Sequence, residues 1–159
     1  MLILLALLIS TLIFNPKCVQ KSRVESSDIP KHFEESRNRV LLEIARNNPL
    51  ATLITADSNG LDANHLPLVV KELGADKYEI LGHVAKNNPL VGQMTTSIDC
   101  LVVFHGIQKY ISPNWYSTKF ETGKAVPTWN YEVVHFYGKL ELIDDNIWLR
   151  SFLTTLVDK

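Results

Sequence analysis

The segment Gly82–Pro89, GHVAKNNP, carries the residue types of an anion-binding site. A strand would end at its first residue, and a helix would begin at its final Asn-Pro pair. Free backbone N–H groups at a helix start, together with one lysine, can bind a phosphate. The segment therefore predicts a phosphate clamp of His83, Lys86 and Asn87. The alternative is an Asn-capped helix beside a solvated lysine.

A second polar group interrupts an otherwise apolar strand at Asn64 and His65, which Leu66 and Pro67 follow. The two side chains, and the backbone that proline leaves unpaired, could bind the edge of a heterocycle. The alternative is an edge strand that faces solvent.

Aromatic residues are concentrated between Tyr110 and Tyr131. The segment contains Tyr110, Trp115, Tyr116, Trp129 and Tyr131, together with Pro113 and Pro127. Core positions favour aliphatic residues, whereas aromatic rings with a polar atom are common at ligand sites and interfaces. The segment predicts a surface that stacks a flat ligand or seals an interface. Ordinary packing of loops onto a sheet is the alternative.

Composition and motifs argue against several classes of protein, although DNA binding is left unsupported rather than excluded. The 159 residues carry 16 Lys and Arg against 17 Asp and Glu, so the net charge of −1 gives no long-range attraction to nucleic acid. Two cysteines form no disulfide framework, and the scattered histidines show no zinc spacing. No GxGxxG, GxxxxGK[ST] or GxSxG motif is present, and Ser112 and Ser117 lack the partners of a hydrolase triad.

Six short strands joined by turns predict a mainly β barrel with flanking helices. The predicted strands are Leu50–Ala56, Leu61–Lys71, Lys77–Val84, Cys100–His105, one that begins at Tyr110, and Glu132–Ile143. Predicted helices cover Ser36–Asn47, Asn88 to about Thr96, and a last apolar-faced segment that Asp144–Asn146 caps. Pro67 implies an edge or an irregularity in the second strand, and a loop is predicted at Ser117–Ala125.

The N-terminal run Leu2-Phe14 is apolar and too short for an ordinary membrane-spanning helix. It has the length of a signal-peptide core, but no basic residue precedes it. Three interpretations stay open: a membrane anchor, an export signal, or an upstream extension outside the working protein. We expect residues 1–28 to form this leader and a polar linker, and residues 29–159 to form the folded domain.

Four blocks of this sequence resemble the FMN-binding negative transcriptional regulators of the PaiB type. The blocks are IPKHFEE, NPLATLIT with ANHLPL, GHVAKNNP, and VVFHGIQKYISPNWY with VPTWNYEVVHFYGK. The resemblance covers Ile29 to Lys159. It implies a six-stranded antiparallel split β-barrel that forms a homodimer, with FMN at the subunit interface, and a cytoplasmic location. Members of the family extend further at the C-terminus, so we expect a C-terminal part to be lacking here.

The resemblance also implies roles for individual residues. His83, Lys86 and Asn87 would hold the FMN phosphate, and Asn64, His65 and Leu66 would line the isoalloxazine ring. The pocket would be closed, from the second subunit, by Trp115, Tyr116, Trp129 and Asn130. Contact with DNA is implied by the family alone, and no metal is implied. A flavin-dependent oxidoreductase on the same fold and a fold relic with an empty pocket are the two rival hypotheses.

Overall fold

The described chain is built around one antiparallel β-sheet. The computed structural model describes residues 9–15, 33–74, 77–94 and 97–157. Its strands are β1 (Ile9–Asn15), β2 (Leu50–Asp57), β3 (Gly60–Pro67), β4 (Val69–Gly74), β5 (Lys77–Ala85), β6 (Ile98–Ile111) and β7 (Thr128–Ile143). They pair in the order β3-β2-β6-β7-β1-β5-β4, which leaves β3 and β4 as edges and does not close the sheet. The prediction of a mainly β, antiparallel fold with flanking helices is confirmed.

In the described part of the chain, four α-helices and the 3₁₀ helix that follows β6 flank the sheet. They are α1 (Asn38–Asn47), α2 (Pro89–Gln93), the 3₁₀ helix Pro113–Trp115, α3 (Thr118–Thr122) and α4 (Asn146–Val157). Predicted caps are present, because Asn88 Oδ1 accepts the Leu90 N–H at 2.9 Å and Asp145 Oδ1 accepts the Ile147 N–H at 2.7 Å. Helices α1, α2 and α4 were predicted, whereas α3 lies in the segment that was predicted to be a loop.

The main core lies on one side of the sheet. Its most deeply buried large side chains are Phe104, Leu53, Ile80, Leu90, Leu140 and Val102. Helix α1 adds Leu42 and Ala45 to this cluster. Leu66 of β3 and Val70 of β4 contact the same cluster, although they lie on opposite edge strands. The sheet therefore curls around its core, and the two edges approach each other.

Helix α4 packs on the other side of the sheet, over β4 and β5. Phe152 forms a second buried cluster with Val69 and Leu81, and Trp148, Leu153 and Leu156 pack around it. This arrangement confirms the apolar face that was predicted for the last helix. Among the described residues, no helix covers the corresponding outer side of β3, β2, β6 and β7.

Several strand boundaries differ from the predictions: β7 begins at Thr128 rather than at Glu132, and the strand predicted from Tyr110 is the end of β6. Two further differences have local reasons. The predicted strand Leu61–Lys71 is divided into β3 and β4 at Leu68, whose N–H donates to the carbonyl of Pro49 at 2.8 Å. The predicted strand end at His105 is wrong, because β6 continues through an irregularity between His105 and Gln108 that absorbs Gly106. A β-bulge of this kind keeps the pairing while it changes the strand direction.

Part of the apolar N-terminal run lies inside the sheet. Strand β1 pairs with β5 on one side and with β7 on the other, so that Leu12 lies opposite Gly82 and Leu142. The apolar pattern of this run predicts no strand. Residues 2–8 of the run, the linker at 17–28 and the turn at 29–31 lie outside the described residues. No helix in the described ranges is long and apolar enough to cross a membrane.

Candidate functional site

A side-chain hydrogen bond joins two of the predicted site segments. The amide Nδ2 of Asn88, at the start of α2, donates to Oδ1 of Asn64 on β3 at 3.0 Å. The Oδ1 atom of Asn88 is also the cap of α2. One side chain therefore fixes the end of the Gly82–Pro89 segment against the strand that carries Asn64.

Asn64 extends this contact toward the β2–β3 turn. Its Nδ2 donates to Oδ2 of Asp62 at 2.9 Å. These residues lie on the wall of an open cavity of about 250 Å³. The full lining is Asp57, Asn59, Gly60, Leu61, Asp62, Asn64, Asn88, Pro89 and Gln93. The lining contains amides and two carboxylates, and it contains no lysine or arginine.

Lys86 and Asn87 lie in the turn between β5 and α2, and both are exposed. No described carboxylate forms a salt bridge with Lys86. An exposed lysine in a turn, next to an Asn-capped helix, keeps its charge available to a phosphate. The predicted alternative, a solvated lysine beside a capped helix, describes the same geometry without a ligand.

His83 lies on the side of the sheet that α4 covers. Its ring is 5.9 Å from the ring of Phe152, and its Nδ1 atom is buried without a hydrogen-bond partner among the described residues. Burial lowers the pKa of His83 below its usual value, so the ring is neutral at pH 7. The ring of His83 can thus offer a hydrogen bond to a phosphate.

The three predicted ring-lining residues on β3 do not share a face. Successive side chains of a strand point to opposite sides of the sheet. Leu66 packs against the main core, and Asn64 contacts Asn88 on the same side. His65 is exposed and points to the opposite side, where it lies across from Thr52.

His65 belongs to a surface that we call the outer face, namely the side of β3, β2, β6 and β7 turned away from the main core. One row across this face runs from His65 through Thr52 and Val103 to His135. The ring of His135 contacts that of Tyr137 with a centroid distance of 6.3 Å. Burial, and to a lesser degree the charge of His105, lowers the pKa of His135.

Beyond the bulge, β6 and β7 continue as a two-stranded extension that we call the arm, residues 108–131. Tyr110 lies opposite Trp129, and their rings meet edge to face at 6.0 Å. Alternation along β7 places Trp129 and Tyr131 on the outer face, in line with His135. The exposed large apolar side chains in and beside the arm are Ile107, Tyr110, Trp115, Tyr116, Phe120, Val126, Trp129 and Tyr131.

The other predicted arm residues are also accessible. Trp115 ends the 3₁₀ helix and lies 5.8 Å from the ammonium group of Lys109, and Tyr116 follows it. Asn130 pairs with Lys109 but, by alternation, points to the side opposite Trp129. Within one chain, the structure brings Trp129 and His65 to one face of the sheet, and Asn64, Asn88 and Leu66 to the other.

A second cavity, of about 390 Å³, lies under the base of the arm. Its lining is Val40, Glu43, Ile44, Asn47, Asn48, Ile107 and Glu132. Two carboxylates and no basic side chain line it. A phosphate dianion would be repelled there, so this cavity does not compete for the predicted anion.

Two residues of the first cavity were not predicted as site residues. Asn88 was predicted only as a helix cap, and Asp62 was not singled out at all. The sequence did indicate this role for Asn88. An asparagine that caps a helix through its side-chain oxygen still has its amide nitrogen free to donate. Its partner Asn64 is 24 positions away, and only the pairing of the strands brings the two together.

Comparison with known proteins identifies the family. Residues 28–159 match the family described as "Putative FMN-binding domain". The chain belongs to this family. The match confirms the predicted resemblance, the predicted FMN-binding function and FMN as the cofactor.

The alignments with relatives cover different shares of the relatives' own length. The chain is 34% identical over 150 residues to the uncharacterised protein YKL070W of Saccharomyces cerevisiae. That alignment covers 82% of this chain and 88% of the yeast protein. It is 35% identical over 131 residues to protease synthase and sporulation protein PAI 2 of Bacillus subtilis, over 82% of this chain and 60% of PAI 2. The uncharacterised protein AN0679 of Emericella nidulans is 32% identical over 138 residues, with 70% of this chain and 55% of that protein covered.

The predicted site residues, taken from both faces of the sheet, have the chemistry that FMN requires. Lys86 supplies a cation for the phosphate, the Asn64 amide supplies a donor and an acceptor for a polar ring edge, and Trp129 supplies an exposed aromatic face. The donor set therefore fits the cofactor that the family indicates. The family description and the PAI 2 match favour an FMN-binding protein over the oxidoreductase alternative.

Proposed function

We propose that this protein binds FMN at the interface of a homodimer with a split-barrel fold, and that it acts as a negative transcriptional regulator. The observation that carries the proposal is the outer face, which no helix of the described residues covers, together with its exposed aromatic arm. Surfaces that expose many large apolar groups together mark interaction sites. A second copy of the chain, seated on this face, would bury the aromatic groups.

Cavity size supports a shared site. The 250 Å³ cavity beside Asn64 is smaller than the roughly 300–1,000 Å³ of pockets that bury a drug-sized ligand. One chain thus supplies only part of the enclosure that FMN needs. In the proposal, Trp115, Tyr116, Trp129 and Asn130 of the second copy supply the remaining wall.

Each segment has a separate role in the proposed site. Lys86 and Asn87 bind the phosphate, and the neutral His83 contributes a hydrogen bond at most. Asn64 and Leu66 contact the ring from the core side of β3, whereas His65 lies on the outer face, where the partner would sit. When bound, FMN supplies one-electron and hydride-transfer chemistry, and the protein binds and orients it.

The first test is the charge on Lys86. The variant Lys86→Ala should bind FMN about 10- to 150-fold more weakly, because a charge-assisted hydrogen bond contributes roughly 1.5–3 kcal/mol. Riboflavin, which lacks the phosphate, should bind the variant and the parent protein equally. Titration of flavin fluorescence measures both affinities.

Lys71→Ala is the matched control, since Lys71 is an exposed lysine on β4, away from the Lys86 turn. It should leave both affinities unchanged. Equal FMN affinity of Lys86→Ala and the parent would remove Lys86 from the site. If the purified protein neither carries flavin nor quenches added FMN, the binding function itself is wrong.

The regulatory role rests on the family resemblance, as does the expected cytoplasmic location. A net charge of −1 gives little general attraction to DNA, so binding should depend on contacts with a specific sequence. We expect the flavin-loaded protein to retard DNA from upstream of its own gene at low salt. If no such shift is seen, the hypothesis of direct repression is wrong, whereas the hypothesis of FMN binding is unaffected.

A further inference from the structure

We propose that Asn88 is a positioning residue that fixes the amide of Asn64, so that Asn64 presents a paired donor and acceptor to the imide edge of the flavin ring. This inference rests on the proposed FMN site. It concerns a residue that the family resemblance does not assign, and it follows from the direction of three hydrogen bonds.

The direction of the hydrogen-bond chain is set by the backbone. The Leu90 N–H can only donate, so the atom of Asn88 that faces it at 2.9 Å must be the amide oxygen. The amide nitrogen of Asn88 therefore faces Asn64 and donates to its oxygen at 3.0 Å. This leaves the Asn64 nitrogen directed at the carboxylate of Asp62, which can only accept, at 2.9 Å. Neither amide can be reversed without placing two acceptors or two donors in contact.

The fixed Asn64 amide still has unused capacity. Its oxygen has a second lone pair, and its nitrogen has a second hydrogen. Both belong to a residue on the wall of the 250 Å³ cavity. The imide edge of a flavin carries an N–H between two carbonyl groups, which is the complement of one amide donor beside one amide acceptor.

Charge at the cavity argues against a phosphate as the occupant. Asp57 and Asp62 contribute carboxylates to the same lining, without a basic side chain. An anion would be repelled by them, whereas a neutral polar edge would not. The proposed site thus divides its work, with the phosphate at the Lys86 turn and the neutral ring edge at Asn64.

The test uses a variant that keeps the helix cap and removes the hydrogen bond to Asn64. Serine caps helices about as well as asparagine, but its side chain is shorter and has no amide nitrogen. Asn88→Ser should therefore melt close to the parent protein. The probes are riboflavin and 3-methylriboflavin, in which a methyl group replaces the imide hydrogen.

We expect the parent protein to bind riboflavin about tenfold more tightly than 3-methylriboflavin, the usual effect of one hydrogen bond. Asn88→Ser and Asn64→Ala should each bind riboflavin about tenfold more weakly than the parent does. Both variants should also lose the preference between the two probes. The double variant should be no worse than either single variant, because the two residues act as one unit.

Several results would overturn the proposal. If Asn88→Ser keeps the preference for riboflavin, Asn88 does not position the imide partner. If Asn64→Ala keeps the preference for riboflavin, another part of the site excludes the methyl group of 3-methylriboflavin. Should the serine variant fail to fold, Asn88→Asp replaces it, since an aspartate caps the helix but places an acceptor against Asn64. A parent protein that binds no flavin contradicts the FMN function itself, whereas a parent that binds both probes equally contradicts only this inference.

Discussion

The β6–β7 hairpin keeps the same antiparallel pairing along its length, but one end is buried in the core and the other end is exposed. In the body of the sheet, Phe104 lies opposite Val134 and is completely buried. In the arm, Tyr110 lies opposite Trp129, which is 56% exposed. The bulge between His105 and Gln108 separates the two ends. The hairpin thus changes from core to surface while its ladder continues.

The contrast shows what each end is suited to do. Most buried positions of the body carry aliphatic or Phe side chains, which have no polar atom to satisfy, and Thr55, Tyr78 and Cys100 are the exceptions among the described buried residues. The arm carries Trp and Tyr, which bury a large area and still hydrogen-bond through one end. A body of this kind folds by itself, whereas an arm of this kind gains stability from a ligand or a partner. The predictions below test this division.

The largest expected effect is the loss of an aromatic ring from the body. Phe104 meets Phe136 edge to face at 5.7 Å within the main core. Phe104→Ala should lower the free energy of unfolding by about 3–5 kcal/mol, because it removes buried area and leaves a cavity. Urea denaturation followed by circular dichroism measures the change.

Trp129→Ala is the matched change in the arm. We expect it to lower the free energy of unfolding of the monomer by less than about 1 kcal/mol, the range of an exposed cross-strand pair. It should also remove the dependence of the unfolding midpoint on protein concentration, which a dimer shows by mass action. Equal losses in the two variants would abolish the distinction between body and arm.

Several elements of the body follow from local patterns in the sequence. Strand β2 and the Asp57–Gly60 turn are recognisable from β-branched residues that precede Asn-Gly. Helix α1 follows from the spacing of its apolar residues, and α4 from its Asp145 cap. In each case the signal lies within a few residues of the element that it predicts.

Features that depend on distant residues could not be predicted. The apolar run of residues 2–14 has no period, so its composition fits a strand as well as an anchor. Only the pairing of Ile9–Asn15 with β5 and β7 shows that this part is a strand. His65 and Asn64 lie on opposite faces because successive side chains of a strand alternate, and the resemblance assigned both residues to one site without regard to this alternation. The resemblance named the segments of the site, and it could not supply the Asn64–Asn88 contact.

The junction between body and arm should be sensitive to one methyl group. A Cβ atom on Gly106 would lie 2.8 Å from Cβ of Glu132 and 3.1 Å from Cγ2 of Ile44. Gly106→Ala should therefore lower the free energy of unfolding by about 1–3 kcal/mol, the usual cost of overpacking. Differential scanning calorimetry measures the shift.

Gly92→Ala is the control for this change, because a Cβ atom there has no neighbour within 4 Å. Gly92 lies in α2, where alanine is preferred over glycine by about 0.5–1 kcal/mol. We expect a neutral or stabilising effect. A Gly106→Ala variant as stable as the parent would show that the bulge can shift freely, and that the junction does not fix the direction of the arm.

The smallest expected effect concerns acid, and it separates the two regions by their histidines. Residues 108–131 contain no histidine, whereas the body contains His83, whose pKa is lowered by burial. Below the unfolded-state pKa of about 6.5, the unfolded chain binds a proton that the folded chain resists. Stability should therefore fall as the pH drops from 7.5 to 5.5.

His83→Phe should make this fall shallower, because phenylalanine keeps the contact with Phe152 and cannot be protonated. His135 retains its own share of the fall, since its pKa is also lowered. Trp129→Ala, in the arm, should keep the full pH dependence of the parent. Urea midpoints at pH 7.5 and 5.5 compare the three proteins. If the arm variant were the one to lose the pH dependence, the acid-sensitive contact would lie at the arm surface, and the body could not be treated as a unit that folds and titrates by itself.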